Sequence, residues 1–341
     1  MSERRRLHRF VVPPLEGPVT GGTLFNRELV RALRELGEDV EVLNGAWPAA
    51  RTSGPSNLWV DSLFIDELPS IAAACSRTER VGLIAHFLPS LLEHPTLTPA
   101  QLKPGERAAL NAAEQFLAPS ENMAAVLRNL TSASRRIFVV EPGRFACGLA
   151  PKQELSGPVR AVIVANVVRN KGILPLLQAL GEQACESDSF VLQVIGNRSL
   201  MPSYAAQCDS AVATTPLLER RVEWLGEQSP ERVVELLQRC DVMVSGSTME
   251  SYGMALAEAR TLGIPLLAVD GGNVRSWISR HAGGELVHSH AELATAFLEL
   301  CRSRSLRRAR SGAARRSAIG PRSWREAAET YLRLANPEAL S

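Results

Sequence analysis

The stretch STMESYGMALAEARTLGIPLLAVDGG, residues 247–272, decides the fold of this chain. It follows a short apolar run, DVMVSG (241–246), and carries a helical pattern that begins near Gly253 and leads into a second apolar run, PLLAVD (265–270). A buried strand, a helix and another buried strand in this order are typical of a parallel α/β sheet. The first turn of such a helix presents unpaired backbone N–H groups and the positive end of the helix dipole, which suit a diphosphate.

The same alternation of apolar runs and helical patterns extends over the whole chain. In the first half the predicted strands are RFVV (9–12), DVEVL (39–43), LWV (58–60), VGLIAH (81–86), QFLAPS (115–120) and RIFVVE (136–141). In the second half they are AVIVAN (161–166), FVLQVIG (190–196), VEWLG (222–226), DVMVSG (241–246) and PLLAVD (265–270). Two such series in 341 residues predict two doubly wound, Rossmann-like α/β domains.

Composition excludes several classes of protein. Hydrophobic residues make up 45% and charged residues 22%, as in globular proteins, and no apolar run is long enough to span a membrane. The N-terminal MSERRRLHRFVVPP does not resemble a signal peptide, so we expect a cytoplasmic protein. The cysteines are scattered without a CxxC pair, which favours reduced thiols over disulfides or a zinc site: Cys75, Cys147, Cys185, Cys208, Cys240 and Cys301.

Two carboxylates and a glycine within 247–272 are candidate ligand contacts. Glu250 precedes the predicted helix, Gly253 stands at its start and Glu258 lies inside it. Glycine allows a phosphate to approach the backbone closely, and an ionised carboxylate is a pure acceptor for the hydroxyls of a ribose. Taken alone, the spacing of the two glutamates favours the alternative that Glu258 only caps or pairs within the helix.

A second candidate lies in AVIVANVVRNKGILPLLQAL (161–180), where a predicted strand leads into a loop with Lys171-Gly172 and then an amphipathic helix. A lysine ammonium there can stabilise the negative charge that develops on a departing nucleoside diphosphate. The alternative for Lys171 is an exposed lysine in a turn.

Together these motifs resemble the retaining nucleotide-sugar glycosyltransferases of family 4, the glycosyl transferases group 1. The resemblance covers nearly the whole chain and is strongest from about 160 to 275. The family motif E-x-x-G-x-x-x-x-E-A and the segments after it match Glu250, Gly253, Glu258-Ala259, Gly263-Ile264-Pro265 and Gly271-Gly272. The resemblance implies the GT-B fold, in which two Rossmann-like doubly wound domains face each other across a cleft.

The resemblance also implies how the chain is divided. We expect an N-terminal acceptor-side domain over 1–152, a C-terminal nucleotide-sugar-binding domain over 153–320, and a terminal helix over 321–341 that crosses back to the first domain. The segment PKQELSGP (151–158) is the candidate linker.

The implied activity is transfer of a sugar, with retention, from a nucleoside diphosphate sugar to an acceptor hydroxyl. In this reading Lys171 neutralises the diphosphate, while Glu250 and His86 orient the sugar. His86 ends the run 81–86, where ligand groups gather in open α/β sheets, although a structural histidine is the alternative. The donor-binding residues implied by position are Gly21, Gly22, Asn166, Arg169, Ser251, Tyr252, Gly253, Met254 and Glu258.

Three positions depart from the family pattern. Asn166 stands where the family usually has an arginine, and Arg169 in the same loop could replace it. Asn197-Arg198 replaces a glycine-rich acidic turn, and Arg275 stands near a usual acid. These departures leave open a catalytically degenerate GT-B protein that acts as a nucleotide-sugar-binding or regulatory subunit. An epimerase of the same shape is a further alternative, against which the lysine–glycine pair and the two glutamates argue.

No cofactor or metal is expected beyond the nucleotide sugar itself. No DxD motif follows a strand, and Asp61 and Asp66 fall in a stretch that reads as poorly organised. The expected partners are the nucleotide-sugar donor and a small-molecule, lipid-linked or glycan acceptor. The arginine-rich Arg302–Arg316 region fits a solvated helical face, or a contact with acidic lipid at the inner membrane or with a phosphorylated acceptor. Without interleaved aromatic residues it does not predict nucleic-acid binding.

Overall fold

Parallel β-sheets form the centres of the two units into which this chain divides. The computed structural model describes residues 7–45, 54–94, 96–151 and 157–335. The N-terminal unit comprises Met1–Gly143 with Arg322–Ser341, and the C-terminal unit comprises Arg144–Pro321. Helices cover such sheets on both faces, which explains why the strands read as continuous apolar runs rather than alternating ones.

The N-terminal unit has a sheet of six strands within the described residues. Its strands are β1 Leu7–Val12, β2 Val40–Asn44, β3 Ser56–Asp61, β4 Glu79–Ile84, β5 Gln115–Ala118 and β6 Arg136–Val139. Its first helices are α1 Gly21–Glu35, α2 Leu68–Ala74, α3 Ser90–Glu93, α4 Pro104–Ala112 and α5 Glu121–Leu130. All strand pairs are parallel, in the order β2-β1-β3-β4-β5-β6.

Helix α1 illustrates how the local sequence fixes this unit. The Thr20 hydroxyl accepts a hydrogen bond from the Thr23 N–H at 3.1 Å and so caps the first turn. Gly37, with φ of +79°, follows the last turn in the left-handed conformation that favours glycine. The helix buries Phe25 and Asn26 on the side that faces the fold. A polar side chain, Asn26, is therefore placed inside the unit.

The C-terminal unit also has six strands within the described residues. They are β7 Val159–Val164, β8 Phe190–Ile195, β9 Val222–Gly226, β10 Val242–Ser245, β11 Leu266–Val269 and β12 Glu285–Val287. The helices are α6 Ile173–Gln183, α7 Pro202–Ala213, α8 Pro216–Glu219, α9 Pro230–Gln238, α10 Met254–Leu262, α11 His290–Arg302 and α12 Arg304–Arg316. The order β12-β11-β10-β7-β8-β9 is again parallel throughout and changes direction between β7 and β10.

The terminal helix α13, Trp324–Ala335, belongs to the N-terminal unit. The Tyr331 hydroxyl accepts from Trp59 Nε1 at 2.8 Å and lies 2.7 Å from His8 Nδ1, and all three side chains are buried. Residues 336–341 of the predicted terminal segment lie outside the described residues.

The segment from Arg144 to Pro151 packs on the C-terminal unit. Ala146 and Ala150 join the apolar core formed with Leu256 and Leu262, and the Ala150 N–H donates to the Leu262 carbonyl at 2.9 Å. The division between the units consequently falls at Gly143–Arg144, before the predicted boundary at 152–153. Most of the predicted linker, residues 152–156, lies outside the described residues.

Candidate active site

The change of strand order between β7 and β10 locates the candidate site of the C-terminal unit. In open α/β sheets, ligands bind beyond the carboxyl ends of the strands at such a point. The loops that follow β7 and β10 meet there, because the Thr248 N–H donates to the Asn170 carbonyl at 3.0 Å. The two most informative sequence motifs, around Lys171 and around Glu250, are carried by these loops.

Lys171 and Glu250 are in direct contact. Lys171 Nζ donates to Glu250 Oε1 at 2.6 Å, and the two side chains are 23% and 19% exposed. A tight turn over Arg169–Lys171 positions the lysine, with the Lys171 N–H bonded to the Val168 carbonyl. The structure thus brings together two predicted catalytic residues, and the ammonium stays close enough to solvent to exchange one anion for another.

Glycine is required where these loops cross. Gly172 has φ of +63°, and a Cβ there would clash with the Gly246 carbonyl and with His290. His290 Nε2 lies 2.9 Å from the same Gly246 oxygen. Sequence reasoning did not single out His290. The signal available for it was Ser289, whose hydroxyl caps α11 directly beyond β12.

Helix α10 begins only a few residues after Glu250 in the sequence. Gly253 is its N-cap residue with φ of +87°, which only glycine adopts readily, and Met254 begins the helix. Ser251 and Met254 are partly exposed, whereas Tyr252 is buried. The Tyr252 carbonyl accepts from Asn273 Nδ2 at 2.8 Å, and its ring meets Trp277 edge-on at 5.0 Å. Tyr252 thus anchors the loop from inside the unit.

Glu258 is bonded within the fold. Its two carboxylate oxygens accept from the backbone N–H groups of Phe145 and Ala146, each at 2.7 Å, and the residue is 6% exposed. Burial raises the pKa of Glu258, while the two backbone donors act in the opposite direction. This geometry favours the alternative of a carboxylate used in packing, and the ribose contact stays a prediction.

Asn166, which departs from the family pattern, and Arg169 in the same loop each contact other residues of the unit. Asn166 Oδ1 accepts from the Asn197 N–H at 2.9 Å, so the amide bridges the loops after β7 and β8. The Arg169 guanidinium lies 5.6 Å from the ring centroid of Tyr204 and is exposed. Arg169 as a replacement for the family arginine therefore remains a prediction.

Arg198 and Arg275 are also engaged. Arg198 stacks on Trp224 with its guanidinium carbon 4.5 Å from the ring centroid, and it pairs with Asp209. Arg275 Nε donates to Asp270 Oδ1 at 2.7 Å. Both arginines occupy positions where the family has other residues, and local ion pairs or stacking explain them.

His86 and the glycine-rich loop lie in the N-terminal unit. His86 Nε2 is 2.9 Å from Asn26 Oδ1, and a Cβ on Gly22 would approach the ring to 3.1 Å, whereas Gly21 has open space. Burial lowers the pKa of His86, and the nearby Asp61 carboxylate opposes this shift. Gly22, predicted to bind the donor, and His86, predicted to orient the sugar, are neighbours in the structure.

The prediction that Asp61 and Asp66 fall in a poorly organised stretch is wrong. Asp61 ends β3, paired in register with Ile84, and its carboxylate caps a turn by accepting from the Leu63 N–H at 2.8 Å. Asp66 lies in the turn that leads into α2. The apolar run that signals β3 is only three residues long, which hid the polar residues that extend the strand.

The arginine-rich region divides into two sets. Arg302 forms a bidentate pair with Asp188 at 2.7 and 2.8 Å, Arg310 pairs with Glu285, and Arg315 donates to the Ala150 carbonyl at 2.6 Å. The other set includes Arg304, Arg308 and Arg316, which are exposed, as Arg302 also is. No helix in the described ranges is long and apolar enough to cross a membrane.

Two parallel doubly wound units with these topologies define a protein of the GT-B fold. The structure is similar to sucrose-phosphate synthase from Thermosynechococcus elongatus, with a TM-score of 0.75 and 16% identity over 99% of this chain and 100% of that one. It is also similar to Anabaena Alr3699/HepE in complex with UDP and glucose, with a TM-score of 0.72 and 15% identity over 99% of each chain.

The sequence comparison points to the same family. Residues 150–317 match the family described as Glycosyl transferases group 1, and this region is similar to the family-4-type glycosyltransferases. The chain is 30% identical over 213 residues to the D-inositol 3-phosphate glycosyltransferase of Nocardia farcinica. This alignment covers 59% of this chain and 47% of that relative. The chain spans about half the length of the curated relatives it matches.

Proposed function

We propose that this chain transfers a sugar from a nucleoside diphosphate sugar to an acceptor hydroxyl, with retention of the anomeric configuration and without a metal ion. The observation that carries the proposal is the contact of Lys171 with Glu250 at the strand-order change of the C-terminal unit, next in the chain to the start of α10. The family match spans all three features and supports the same reading.

In the proposed reaction, Lys171 Nζ exchanges Glu250 for an oxygen of the donor diphosphate. The backbone N–H groups at Gly253 and Met254 bind the same group, since the first turn of a helix offers free donors. Glu250, released from the lysine, accepts a hydrogen bond from a sugar hydroxyl. The bond from the acceptor oxygen to the anomeric carbon forms as the bond to the diphosphate breaks, and the acceptor proton passes to the departing diphosphate.

The relatives suggest which ligands to test first. HepE is described in complex with UDP and glucose, and the matched relatives are named D-inositol 3-phosphate glycosyltransferases. We therefore propose UDP-glucose as the first donor to test, with polyol phosphates, glycans and lipid-linked sugars as acceptors.

A thermal-shift panel of nucleoside diphosphates tests the donor site. A ligand at a hundred times its dissociation constant stabilises the folded state by about 2.7 kcal/mol, which raises the midpoint by a few degrees. We expect one nucleotide to give this shift, and Lys171→Ala to lose it. Lys103→Ala is the matched control, because Lys103 also pairs with a glutamate, Glu93, at 2.8 Å. Absence of a shift with every nucleotide would contradict the proposal.

The chemistry is tested on the nucleotide that binds. Proton NMR of the product reports the anomeric configuration, and rates measured with and without a chelator report on metal dependence. Inversion would overturn the retaining mechanism, and loss of activity with the chelator would overturn metal independence. Binding without transfer or donor hydrolysis would instead indicate the binding or regulatory subunit.

We also propose a weak contact of the exposed arginines with acidic lipid at the cytoplasmic face of the membrane. Arg304 and Arg308 lie one turn apart on α12 and are both exposed. Each basic residue near an anionic surface contributes about 1 kcal/mol. Sedimentation with vesicles that contain anionic lipid should retain the wild type more than Arg304→Gln/Arg308→Gln. Equal retention of both, or equal retention on neutral vesicles, would contradict this contact.

A further inference from the structure

His290 reaches from a third loop to the place where the loops after β7 and β10 meet, here called the loop crossing and formed by residues 170–172 and 246–248. His290 is the first residue of α11, which follows β12 in the chain. Its Nε2 lies 2.9 Å from the Gly246 carbonyl oxygen. Leu293, on the first turn of the same helix, is fully buried in the apolar core of the C-terminal unit. The imidazole is therefore carried by a helix that is anchored in the core.

The chemistry of the two partners fixes the direction of this hydrogen bond. A carbonyl oxygen only accepts, so His290 Nε2 must carry the proton and donate it to Gly246. A neutral imidazole protonated on Nε2 and a doubly protonated imidazolium both meet this requirement. The contact therefore does not depend on the charge of the ring.

The hydrogen bond supports the backbone on which Lys171 is carried. A Cβ on Gly172 would overlap both the imidazole Nε2 and the Gly246 oxygen, so the Gly172 backbone packs against both ends of the bond. On the other side of Lys171, the Asn170 carbonyl accepts from the Thr248 N–H at 3.0 Å. Lys171 therefore lies between two residues whose backbones contact the loop after β10, and the imidazole supports one of these contacts.

We propose that His290 is a positioning residue of the donor site, whose hydrogen bond to Gly246 fixes the loop crossing and thereby the placement of Lys171 Nζ for a donor diphosphate. The Lys171–Glu250 contact at 2.6 Å joins the same two loops. A lysine side chain is flexible, so the position of its backbone decides where the ammonium can reach. The role toward the diphosphate rests on the proposed function, whereas the role in the loop crossing does not.

Two substitutions separate the hydrogen bond of His290 from the volume of its ring. His290→Leu removes the donor and keeps an apolar side chain, whereas His290→Gln keeps an N–H for the Gly246 carbonyl. His288→Leu, at an exposed histidine two positions earlier in the chain, is the matched control. Two-bond ¹H–¹⁵N NMR on histidine-labelled wild type should show His290 protonated on Nε2, with His290→Gln assigning the signal. A ring protonated on Nδ1 alone would overturn the proposal even if His290→Leu did not fold.

NMR order parameters of backbone amides measure the loop crossing without ligand. They report picosecond-to-nanosecond motion within the folded state, so they do not follow a change in global stability. We expect about 0.85 at Gly172 and Thr248 in the wild type, His288→Leu and His290→Gln, and about 0.6 in His290→Leu. Met243 on β10 should keep its value in every variant. Unchanged order parameters in a folded His290→Leu, or an equal fall at Met243, would overturn the role in the loop crossing.

Binding of UDP and of uridine, or of the matching pair for whichever nucleotide binds, tests the functional level. Uridine lacks the diphosphate and so does not require Lys171. We expect His290→Leu to bind UDP about tenfold more weakly, the effect of one lost hydrogen bond, and to bind uridine as the wild type does. His290→Gln should restore the affinity for UDP.

The outcomes distinguish the two levels of the proposal. A wild-type affinity for UDP in His290→Leu would overturn the role toward the diphosphate and leave the proposed function standing. Failure of every nucleotide to bind the wild type would contradict the proposed function, and the role toward the diphosphate with it. The order parameters would still decide the role of His290 in the loop crossing.

Discussion

Lys171 Nζ lies 2.6 Å from Glu250 Oε1, although 79 positions separate the two residues in the sequence. The pair joins the loops after β7 and β10, which are adjacent strands only because the sheet reverses its order there. In the proposed reaction, a diphosphate oxygen takes the place of Glu250 on Lys171. We propose that the same step makes the carboxylate available to a sugar hydroxyl.

The first prediction concerns the lysine of this pair. Lys171→Met should lower kcat about 10²- to 10³-fold, the usual effect of removing one group that stabilises developing charge. Glu250→Gln should reduce kcat less, since an amide still accepts from a hydroxyl. Initial rates at saturating donor measure both. Lys103→Met, from the exposed pair with Glu93, should leave the rate unchanged. A Lys171→Met rate within a few-fold of wild type would contradict the assignment.

The second prediction compares two glycines to separate the cost of a left-handed backbone from the cost of a steric clash. Gly172 and Gly226 have φ of +63° and +66°, but a Cβ at Gly172 would strike the Gly246 carbonyl, whereas Gly226 has nothing within 4 Å. Gly226→Ala should cost about 1–2 kcal/mol from its left-handed backbone alone. Gly172→Ala should cost more and should also weaken nucleotide binding, because the loops must move apart. Urea unfolding of the two variants gives the comparison. Equal losses of unfolding free energy would contradict a close contact between the loops after β7 and β10 at Gly172.

The fold was predictable because parallel strands are short and apolar. Each apolar run named from the sequence lies on a strand between β1 and β11, and the GT-B prediction is confirmed. The strand that was missed, β12 at Glu285–Val287, is three residues long and begins with an acid. Such a strand is fixed by its pairing with β11, a tertiary contact that no local pattern records.

The parts of the candidate site that lie in sequence motifs could be predicted, whereas the contacts that depend on tertiary packing could not. The proximity of Lys171 and Glu250 could be predicted, because each residue belongs to a recognisable motif in a loop that follows a strand. The backbone donors to Glu258 come from residues 145–146, more than a hundred positions away, in a segment with no motif of its own. The contact of Asn26 with His86 likewise depends on how α1 packs on the sheet. The function of the contacted side chain can be proposed from sequence, but its partners cannot.

The third prediction tests the structural role of Glu258. Glutamine keeps the size of the side chain, but its NH₂ would face a backbone N–H, leaving a buried donor without an acceptor. Glu258→Gln should therefore destabilise the C-terminal unit by about 1–3 kcal/mol. Glu299→Gln, an exposed glutamate on α11, is the control and should change stability little. The urea midpoint without ligand measures this, and an unchanged midpoint would indicate that the carboxylate serves the ligand rather than the fold.

The fourth prediction is a pH dependence carried by Asp188 and Arg302. The Arg302 guanidinium lowers the pKa of the fully buried Asp188 from 3.8 to about 2. A carboxyl whose pKa is depressed by folding stabilises the protein fully above its unfolded pKa, and this stabilisation is lost as the pH falls through the folded pKa. Because Arg302 is 50% exposed, solvent screens the pair, and Arg302→Gln should cost about 1–2 kcal/mol near neutral pH.

The difference between wild type and Arg302→Gln should shrink as the pH falls from 3.8 towards about 2, since both proteins then bind the proton. Urea unfolding at several pH values follows this convergence. Arg304→Gln, two positions along the chain and exposed, controls for the loss of one positive charge and should follow the wild-type curve. A cost for Arg302→Gln that persisted unchanged at the lowest pH would mean that Arg302 acts through packing of its aliphatic stem, not through the charge of Asp188.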